Sequence, residues 1–482
     1  MLLNSEIFLV FFILFFLLYW LVFNKNLKLQ NILVLAASYI FYAWSDWRFL
    51  SFLIFASALN FYLGIYISKN TRYKRLLLYI GLLQGLGSLA YFKYFNFFID
   101  SFKEAFQSFN IHLNVHTLNI LIPLGISYFT FKTISYLLDI NKGKIKPTTD
   151  WIVFFAYVSF FPTLLSGPID NAKSFIPQLE KKRPFDYIET REGLRQILWG
   201  VFKKMVIADK CALIVNPIFD DYQNMPGSTL LVGAFFYTIQ IYTDFSGYSD
   251  MAIGIARLIG FRVTKNFDYP FFAQNIAEFW RKWHMSLTSW LTEYVFTPLN
   301  IYFRDYGKLG LIAAIIINFV VVGIWHGANW TFVLFGFLHG CYFIPLILRG
   351  TFNKKKKIAK NSFLPSFSEL TNVLLTFTLV MLTYIVFRAD NISQAFNFYK
   401  ILFSESLFSI PLIPSGRLVL FTTTLFIFLM MLVEWLQREK EYGLQIDLAN
   451  RPAIRLSIYY ILIFAIILFS TDNENQFIYF KF

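Results

Sequence analysis

Two stretches in the second half of the chain decide how the fold is organised. The first is NIAEFWRKWHMSLTSWL, residues 275–291, and the second is VVGIWHGANWTFVLFGFLHG, residues 321–340. Together they hold three of the five histidines in the chain, His284, His326 and His339. The first stretch is amphipathic, and the second is apolar with glycines on both sides of a histidine. We expect the remaining sequence to form a membrane scaffold that brings His284 and His326 within reach of a substrate.

The composition of the 482-residue chain is that of a membrane protein. Hydrophobic residues make up 57% of it and charged residues only 15%, whereas a soluble domain usually carries about 25% charged residues. Since a spanning helix needs about 20 apolar residues, the sequence predicts an all-α polytopic protein with about 11–13 transmembrane or re-entrant helices. We expect a single membrane-embedded domain, 1–482, with N-terminal helices in 1–117, a catalytic core in 118–350 and C-terminal helices in 351–482.

The positive charge of the chain indicates membrane orientation rather than nucleic-acid binding. The net charge is +14, but lysine and arginine are concentrated in short loops between apolar segments, which is not the pattern of a basic groove. Basic loops occur at 69–75, 142–146 and 354–360. Placing them on the cytoplasmic side follows the positive-inside rule and leaves the N-terminus outside. Residues 7–23 lack a basic leader and a cleavage site, so they predict a retained first helix.

One segment does not fit the expected alternation of loops between the two sides of the membrane. If residues 151–165 crossed the membrane completely, the basic loop that follows them would lie outside. The basic residues of that loop are Lys173, Lys181, Lys182, Arg183, Arg191 and Arg195. Pro162 interrupts this segment, and helix breakers at membrane depth are tolerated where the backbone is buried in protein or lines a cavity. We therefore expect 151–165 to be re-entrant. The same alternation places 257–308 on the cytoplasmic side, so that His284 approaches from inside and His326 lies deeper.

His284 and His326 are the best candidates for chemistry. Treated as one helix at about 100° per residue, 275–291 places His284 on the apolar face, where a hydrogen-bonded core histidine is the ordinary alternative. His326 lies between two apolar helices, and an ionisable residue at such a place indicates function, although it can also bridge two helices. A histidine of ordinary pKa, about 6.5, can accept the proton of a hydroxyl that attacks a carbonyl. Without a serine elbow, a phosphate-binding loop or HExxH, the leading hypothesis is histidine-based acyl transfer.

The other histidines and the cysteines have simpler interpretations. His339 does not share a helix face with the histidine that precedes it, so we expect a structural role. His112 and His116 lie in a polar loop and are expected to be solvated. Cys211 and Cys341 lie in apolar segments without metal-ligand spacing, which predicts free thiols and no metal site.

Six strings in chain order resemble the membrane-bound O-acyltransferase family, specifically its bacterial alginate O-acetyltransferase branch. They are LSGPIDNAKSFIPQL, DFSGYSDMAIGIARLIGF, NFDYPFFAQNIAEFWRKWHMSLTSWL, VVGIWHGANWTFVLFGFLHG, YIVFRA and FIYFKF. The resemblance implies a ring of tilted helices around a central, thinned channel in the bacterial cytoplasmic (inner) membrane. It implies an acyl donor from the cytoplasm, acetyl-CoA or a related carrier. The acetyl group would pass to an exported or cell-surface polysaccharide, directly or through a secreted SGNH-type acetyltransferase partner.

The resemblance also implies roles for individual residues. His326 would be the base or acyl-handling residue, and His284 would assist it from the cytoplasmic half. Three neighbours would line or brace the channel: Trp283, Trp325 and Asn329. Arg281 and Lys282 could meet the phosphates of the donor, which is our own inference and has ordinary membrane-surface charge as its alternative.

Two other kinds of function stay open at this point. The wider family also transfers D-alanine to teichoic acid, and the sequence does not identify the donor. A transporter, or a scaffold for an export complex, would also have many apolar spans and broken helices. The chain has no inverted repeat of the kind that many transporters carry, and two histidines at different depths favour an enzyme. The glycan acceptor is not identified by the sequence.

Overall fold

The computed structural model describes residues 1–69, 72–107, 109–111, 117–118, 120–354, 357–360, 362–446, 451–470 and 477–478. Within these residues all regular structure is helical and no strand occurs, which confirms the predicted all-α class. His112 and His116 lie outside the described residues, as do parts of two of the basic loops. Contacts divide the chain into two compact units. The first unit comprises Met1–Gly193 and Ile255–Thr264, and the second comprises Leu194–Gly254 and Lys265–Phe482.

The first unit contains the N-terminal helices. They are α1 (Glu6–Leu17), α2 (Leu27–Ala43), α3 (Arg48–Lys69), α4 (Lys74–Leu89), α5 (Phe95–Gln107), α6 (Ile126–Asn141), α7 (Trp151–Ser159), α8 (Phe161–Leu164) and α9 (Ala172–Leu179). Two π-helical segments, Leu18–Val22 and Ala90–Tyr94, continue α1 and α4. The helix predicted at 151–165 is interrupted at Phe160, and Pro162 lies in the first turn of α8. The break is at the place that the proline indicated.

A buried arginine joins distant parts of the first unit. The Nε atom of Arg183 donates to the hydroxyl of Tyr19 at 2.6 Å, and its Nη2 atom donates to Oδ1 of Asn31 at 2.7 Å. Its guanidinium group also lies 4.6 Å from the ring centroid of Phe261. The sequence counted Arg183 among loop charges. It is instead a core residue, because a planar guanidinium can serve several buried acceptors and stack on an aromatic face at once.

The second unit contains the two stretches with which the sequence analysis began. α10 (Tyr187–Val201) and α12 (Gly227–Leu258) have residues in both units. The other helices are α11 (Asp209–Asp220), α13 (Ile276–Lys282), α14 (Met285–Leu291), α15 (Thr297–Tyr302), α16 (Gly307–His326), α17 (Trp330–Tyr342), α18 (Ile344–Leu348), α19 (Phe367–Arg388), α20 (Ile392–Leu402), α21 (Arg417–Leu436) and α22 (Pro452–Phe469). The π-helical segments Phe202–Ala208 and Thr292–Phe296 lead into α11 and α15. Short 3₁₀ turns occur at Tyr222–Asn224, Pro270–Phe272, Arg304–Tyr306 and Glu405–Phe408.

Seven helical stretches in the described part of the chain are long and apolar enough to cross a membrane. They are Arg48–Lys69, Lys74–Gln107, Arg304–His326, Trp330–Leu348, Phe367–Arg388, Arg417–Leu436 and Pro452–Phe469. Two shorter apolar helices, Glu6–Val22 and Leu27–Ala43, precede them. The chain is therefore a multi-pass membrane protein. The predicted total of about 11–13 is larger because it also counted short and re-entrant segments.

Close backbone packing fixes the helical hairpin of α16 and α17. A Cβ atom added to Gly323 would lie 2.0 Å from the carbonyl oxygen of Phe332, and one added to Gly336 would lie 2.1 Å from that of Phe319. Only glycine permits so close an approach of two helices. Asn329 is the N-cap residue of α17, and its side-chain oxygen accepts a hydrogen bond from Thr331 N at 3.0 Å. The hairpin places the last residue of α16, a histidine, beside α17.

Candidate active site

His326 lies among aromatic rings from three helices. It is the last residue of α16 and is only 3% exposed. Its ring centroid is 5.0 Å from that of Trp325, 5.8 Å from that of Phe335 in α17 and 5.1 Å from that of Phe387 in α19. The imidazole is thus a polar group in a mainly apolar surrounding, where electrostatic interactions with a bound substrate are strong.

His284 does not lie within a continuous helix, and that expectation was wrong. α13 ends at Lys282, Trp283 is extended, and His284 has left-handed backbone angles, φ 44° and ψ 52°, before α14 begins. A non-glycine residue in this region costs about 1–2 kcal/mol and must be held there by its surroundings. The chain at 266–268 holds it. Met285 N donates to Asn266 O at 2.8 Å, and Asp268 N donates to Lys282 O at 3.0 Å.

The side chain of His284 is completely buried and is hydrogen-bonded to Asn266. Its Nδ1 atom lies 3.0 Å from Oδ1 of Asn266. Its Nε2 atom has no hydrogen-bond partner among the described residues. Burial lowers the pKa of His284 from its ordinary value to about 3, because desolvation disfavours the charged imidazolium. The imidazole is therefore neutral at physiological pH.

One indole contacts both histidines. The ring centroid of Trp325 is 5.4 Å from that of His284 and 5.0 Å from that of His326. Phe245 packs on another part of His284 with a centroid separation of 4.6 Å and nearly perpendicular rings. Two stretches that are far apart in the sequence thus place their histidines around a single tryptophan, which is the juxtaposition that the sequence analysis expected.

The other expected site residues occupy different places. Trp283 is buried against Phe267 and Phe279, with ring centroids 5.0 and 5.4 Å away. Asn329 caps α17, and its Nδ2 atom donates to Asp390 O at 2.7 Å. Both polar atoms of Asn329 are therefore engaged with backbone. His339 accepts a hydrogen bond from Nε1 of the buried Trp280 at 3.2 Å, in agreement with its predicted structural role.

Arg281 and Lys282 line a large charged cavity. The cavity has a volume of about 570 Å³. Its charged lining residues are Lys265, Asp268, Glu278, Arg281, Lys282, Lys357, Arg438, Glu439, Lys440 and Glu441. Lys282 pairs with Glu278 at 3.0 Å. Arg281 donates to the backbone oxygens of Phe352 and Lys354, at 3.4 Å in each case. Basic side chains outnumber acidic ones in this lining, so the cavity suits an anionic group.

A second, smaller space shares part of its lining with this cavity. It measures about 10 Å³ and shares Lys265, Tyr269 and Glu441 with the large cavity. A space of this size is close to the lower limit for one water molecule. Asn266 also lines it, and the same residue binds His284. Lys265, Tyr269 and Glu441 therefore border both spaces, and Asn266 connects the smaller one to His284.

A cluster of buried charges that the sequence pattern did not indicate lies near this space. Lys203 pairs with Asp250 at 2.6 Å, and Lys204 pairs with both Asp209 and Asp244 at 2.8 Å. All of these lysines and aspartates are largely buried. Lys203, Lys204 and Asp209 lie within residues 196–215, which average hydropathy predicts as an apolar span. The adjacent lysines within that span were the signal that could have revealed the cluster, because unpaired charges there are costly.

Cys211 and Cys341 form no disulfide, which agrees with the predicted free thiols. Among the residues that the structure describes, no group of three or more histidine, cysteine or acidic side chains has metal-binding geometry.

Comparisons with known proteins find similar sequences among membrane-bound acyltransferases. A family model described as "MBOAT, membrane-bound O-acyltransferase family" matches residues 144–354, which include both histidines. The chain is 36% identical over 413 residues to the probable alginate O-acetylase AlgI of Pseudomonas aeruginosa, covering 84% of this chain and 75% of that protein. It is 31% identical over 431 residues to the peptidoglycan O-acetyltransferase of Helicobacter pylori, covering 83% and 79%. It is 30% identical over 298 residues to the teichoic acid D-alanyltransferase of Streptococcus thermophilus, covering 56% and 69%.

Proposed function

Because this chain belongs to the membrane-bound O-acyltransferase family and is an acyltransferase, we propose that it transfers acetyl groups to a polysaccharide. The donor is a thioester, acetyl-CoA or a related carrier, that enters from the cytoplasm. The acceptor is a hydroxyl group of an exported or cell-surface glycan, reached directly or through an SGNH-type partner. The enzyme works in the bacterial cytoplasmic membrane with its N-terminus outside.

The observation that carries this proposal is the pair of buried histidines around Trp325. In the reaction, the acceptor oxygen attacks the thioester carbonyl, a C–O bond forms and the C–S bond breaks. His326 takes the proton from the attacking hydroxyl and returns it to the departing thiolate. His284, neutral and with Nε2 open, acts as a second acceptor within the same buried region. The surrounding aromatic rings exclude water, which limits hydrolysis of the thioester.

The large charged cavity supports an anionic donor. Arg281 and Lys282 lie in its lining, and phosphate groups are preferred ligands of both side chain types. Lys282 is already paired with Glu278 at 3.0 Å, so a bound phosphate would have to compete with that carboxylate. Among the residues that the structure describes, Arg281 bonds only backbone oxygens, at 3.4 Å. It is therefore the better candidate for a phosphate contact.

The named relatives favour acetyl over D-alanyl transfer. The similarity to alginate and peptidoglycan O-acetyltransferases extends over 84% and 83% of this chain, whereas the similarity to the D-alanyltransferase extends over 56%. Acetylation of a glycan hydroxyl is therefore the leading proposal. D-alanyl transfer is the second candidate, since that relative is still 30% identical to this chain over 298 residues.

The test is acetyl transfer by the full-length protein in proteoliposomes. [¹⁴C]Acetyl-CoA is supplied on one side, and label is measured in alginate oligosaccharides and peptidoglycan fragments with an SGNH-type acetyltransferase present or absent. His326→Gln should lower transfer by about 10²–10⁴-fold, which is the usual contribution of general acid–base catalysis. Undiminished transfer by a folded His326→Gln protein would contradict the proposed role. The same assay is run with a ¹⁴C-labelled D-alanyl carrier, and transfer of label from that carrier alone would favour the second candidate.

A further inference from the structure

We infer that Asn266 is a positioning residue that makes Nδ1 of His284 the protonated ring nitrogen and leaves Nε2 as the acceptor. The catalytic part of this inference rests on the proposed acyl transfer, whereas the tautomer can be measured without any activity. Sequence reasoning singled out His284 but gave no role to Asn266, which lies 18 residues earlier in the chain.

A backbone N–H group shows which atom of the Asn266 side-chain amide contacts His284. Ser286 N lies 3.3 Å from Oδ1 of Asn266, and Ser286 Oγ lies 2.9 Å from the same atom. A backbone N–H group can only donate, so this atom of the amide must be the oxygen. The oxygen has no hydrogen to give. The contact between Oδ1 of Asn266 and Nδ1 of His284, at 3.0 Å, therefore requires that Nδ1 carries the proton.

The other half of the amide fixes its orientation. Nδ2 of Asn266 donates to Oγ of Ser249 at 3.1 Å. Asn266, Ser249, Ser286 and His284 are all buried, so water does not replace these bonds. Rotating the Asn266 amide by 180° would turn its NH₂ group towards the N–H group of Ser286, and these hydrogen bonds would be lost. The hydrogen bonds thus support only one orientation of Asn266 and one tautomer of His284.

The backbone of Asn266 adds a second constraint on the same histidine. Its carbonyl oxygen accepts from Met285 N at 2.8 Å, directly after the left-handed residue. The side chain and the backbone of Asn266 therefore both bind the residues that directly follow His284. These hydrogen bonds determine where the imidazole points as well as which of its nitrogens is protonated.

The open nitrogen is the chemically useful one. A neutral imidazole has one N–H group, and here it is used by Asn266, so Nε2 has a lone pair and no hydrogen-bond partner among the described residues. A buried acceptor without a partner costs stability and calls for a functional reason. Accepting a proton or a hydrogen bond from the substrate, thiol or hydroxyl, supplies that reason.

The ionisable groups facing Asn266 are those of the small space. The charged ones are Lys203, Asp250, Lys265, Glu434 and Glu441, and the phenols are those of Tyr242, Tyr269 and Tyr442. Lys203 and Asp250 neutralise each other at 2.6 Å. On the other side of His284, His326 lies beyond Trp325. The neutral amide of Asn266 separates the imidazole from the charged groups of this space.

The first experiment measures the tautomer directly. The full-length protein, labelled with [¹⁵N]histidine, is placed in nanodiscs, and the His284 signals are assigned by their loss in His284→Gln. We expect a protonated Nδ1 and an unprotonated Nε2 in the natural protein. Asn266→Ala should shift the proton towards Nε2, whereas Ser249→Ala should leave it on Nδ1. A protonated Nε2 in the natural protein, or no change in Asn266→Ala, would overturn the inference.

The second experiment measures the consequence for transfer of [¹⁴C]acetyl groups at pH 8. Asn266→Ala should lower kcat by about 10–100-fold, the size of loss seen when groups that orient metal-binding histidines are removed, with little change in KM for acetyl-CoA. Asn266→Asp keeps an acceptor oxygen and should recover at least part of that loss. The exposed Asn224→Ala serves as the matched control. Equal losses in Asn266→Asp and Asn266→Ala, or a change in KM alone, would contradict positioning.

These two experiments separate failure of the inference from failure of the proposed function. If the natural protein transfers no acetyl group, the tautomer measurement still decides whether Asn266 sets the protonation of His284. If Asn266→Ala does not fold, Asn266→Asp is used for both measurements. It should keep the proton on Nδ1, and a proton found on Nε2 instead would refute the assignment.

Discussion

Gly323 controls how closely α16 approaches α17, so Gly323→Ala tests whether this packing positions His326. The added Cβ atom would lie 2.0 Å from the carbonyl oxygen of Phe332, and ordinary contact would require the helices to separate by about 1 Å or more. Overpacking of this kind typically costs about 1–3 kcal/mol. Since His326 is one helical turn further along α16, it should move with the backbone. A displacement of about 1 Å can lower a rate by about 10²-fold.

The assay for Gly323→Ala compares acetyl transfer and thermal unfolding in nanodiscs with those of Gly87→Ala. Gly87 is also within a helix, but a Cβ atom there would meet nothing within 4 Å. Its replacement should stabilise the helix by about 0.5–1 kcal/mol and leave kcat unchanged. If Gly323→Ala retained both full activity and full stability, the close approach of α16 and α17 would not be what positions His326.

Three further predictions concern charge. Lys204→Met removes the cation 2.8 Å from buried Asp244, so the free energy of unfolding measured with denaturant should fall by about 3–5 kcal/mol; adding Asp244→Asn should restore part of it, and no restoration would contradict the pairing. Arg281→Ala should raise KM for acetyl-CoA by about 10-fold with kcat unchanged, because a charge-assisted hydrogen bond to a phosphate is lost equally from ground and transition states; initial rates over a range of acetyl-CoA concentrations would show instead a fall in kcat if Arg281 acted in the chemical step. Burial lowers the pKa of His284 to about 3, and Asn266→Asp should raise that pKa because it places a carboxylate beside the imidazole. The acid limb of the profile of kcat/KM against pH should therefore move to higher pH. An unchanged limb would show that His284 does not titrate in the reaction.

Hydropathy predicted the helices because it is a local property. Each long apolar segment can satisfy its backbone groups only as a helix in a membrane, whatever the rest of the chain does. The break at Phe160 was also predictable, since Pro162 favours a helix start and disfavours a helix interior. Both features are encoded within about 20 residues of sequence.

The break at His284 was not predictable in the same way. The sequence around it has no proline or glycine, and its apolar residues recur with helical spacing. What interrupts the helix is the chain at 266–268, which bonds Lys282 O and Met285 N. A periodicity calculation over 275–291 does not include those partners. Left-handed geometry at a non-glycine residue is therefore a consequence of tertiary contacts, which override local propensity.

Buried charges were concealed for a related reason. Lys204 lies in a segment whose average hydropathy is that of a span, and one of its two aspartate partners, Asp244, comes from a different helix 40 residues later in the chain. Arg183 was assigned to a basic loop although Tyr19 and Asn31 bind it in the core. In each case the burial of the charge depends on partners that sequence spacing does not reveal.

The two histidines are held by opposite means, and this limits how they can cooperate. His326 is placed by the absence of side chains at the α16–α17 contact, whereas His284 is placed by hydrogen bonds from Asn266. Because Nε2 of His284 has no hydrogen-bond partner among the described residues, no direct proton relay joins that nitrogen to His326. Trp325, which contacts both rings, is a hydrogen-bond donor only and cannot accept and pass on a proton. In the proposed mechanism, each imidazole would therefore exchange protons with a bound substrate, so both histidines would contribute only when donor and acceptor are bound together.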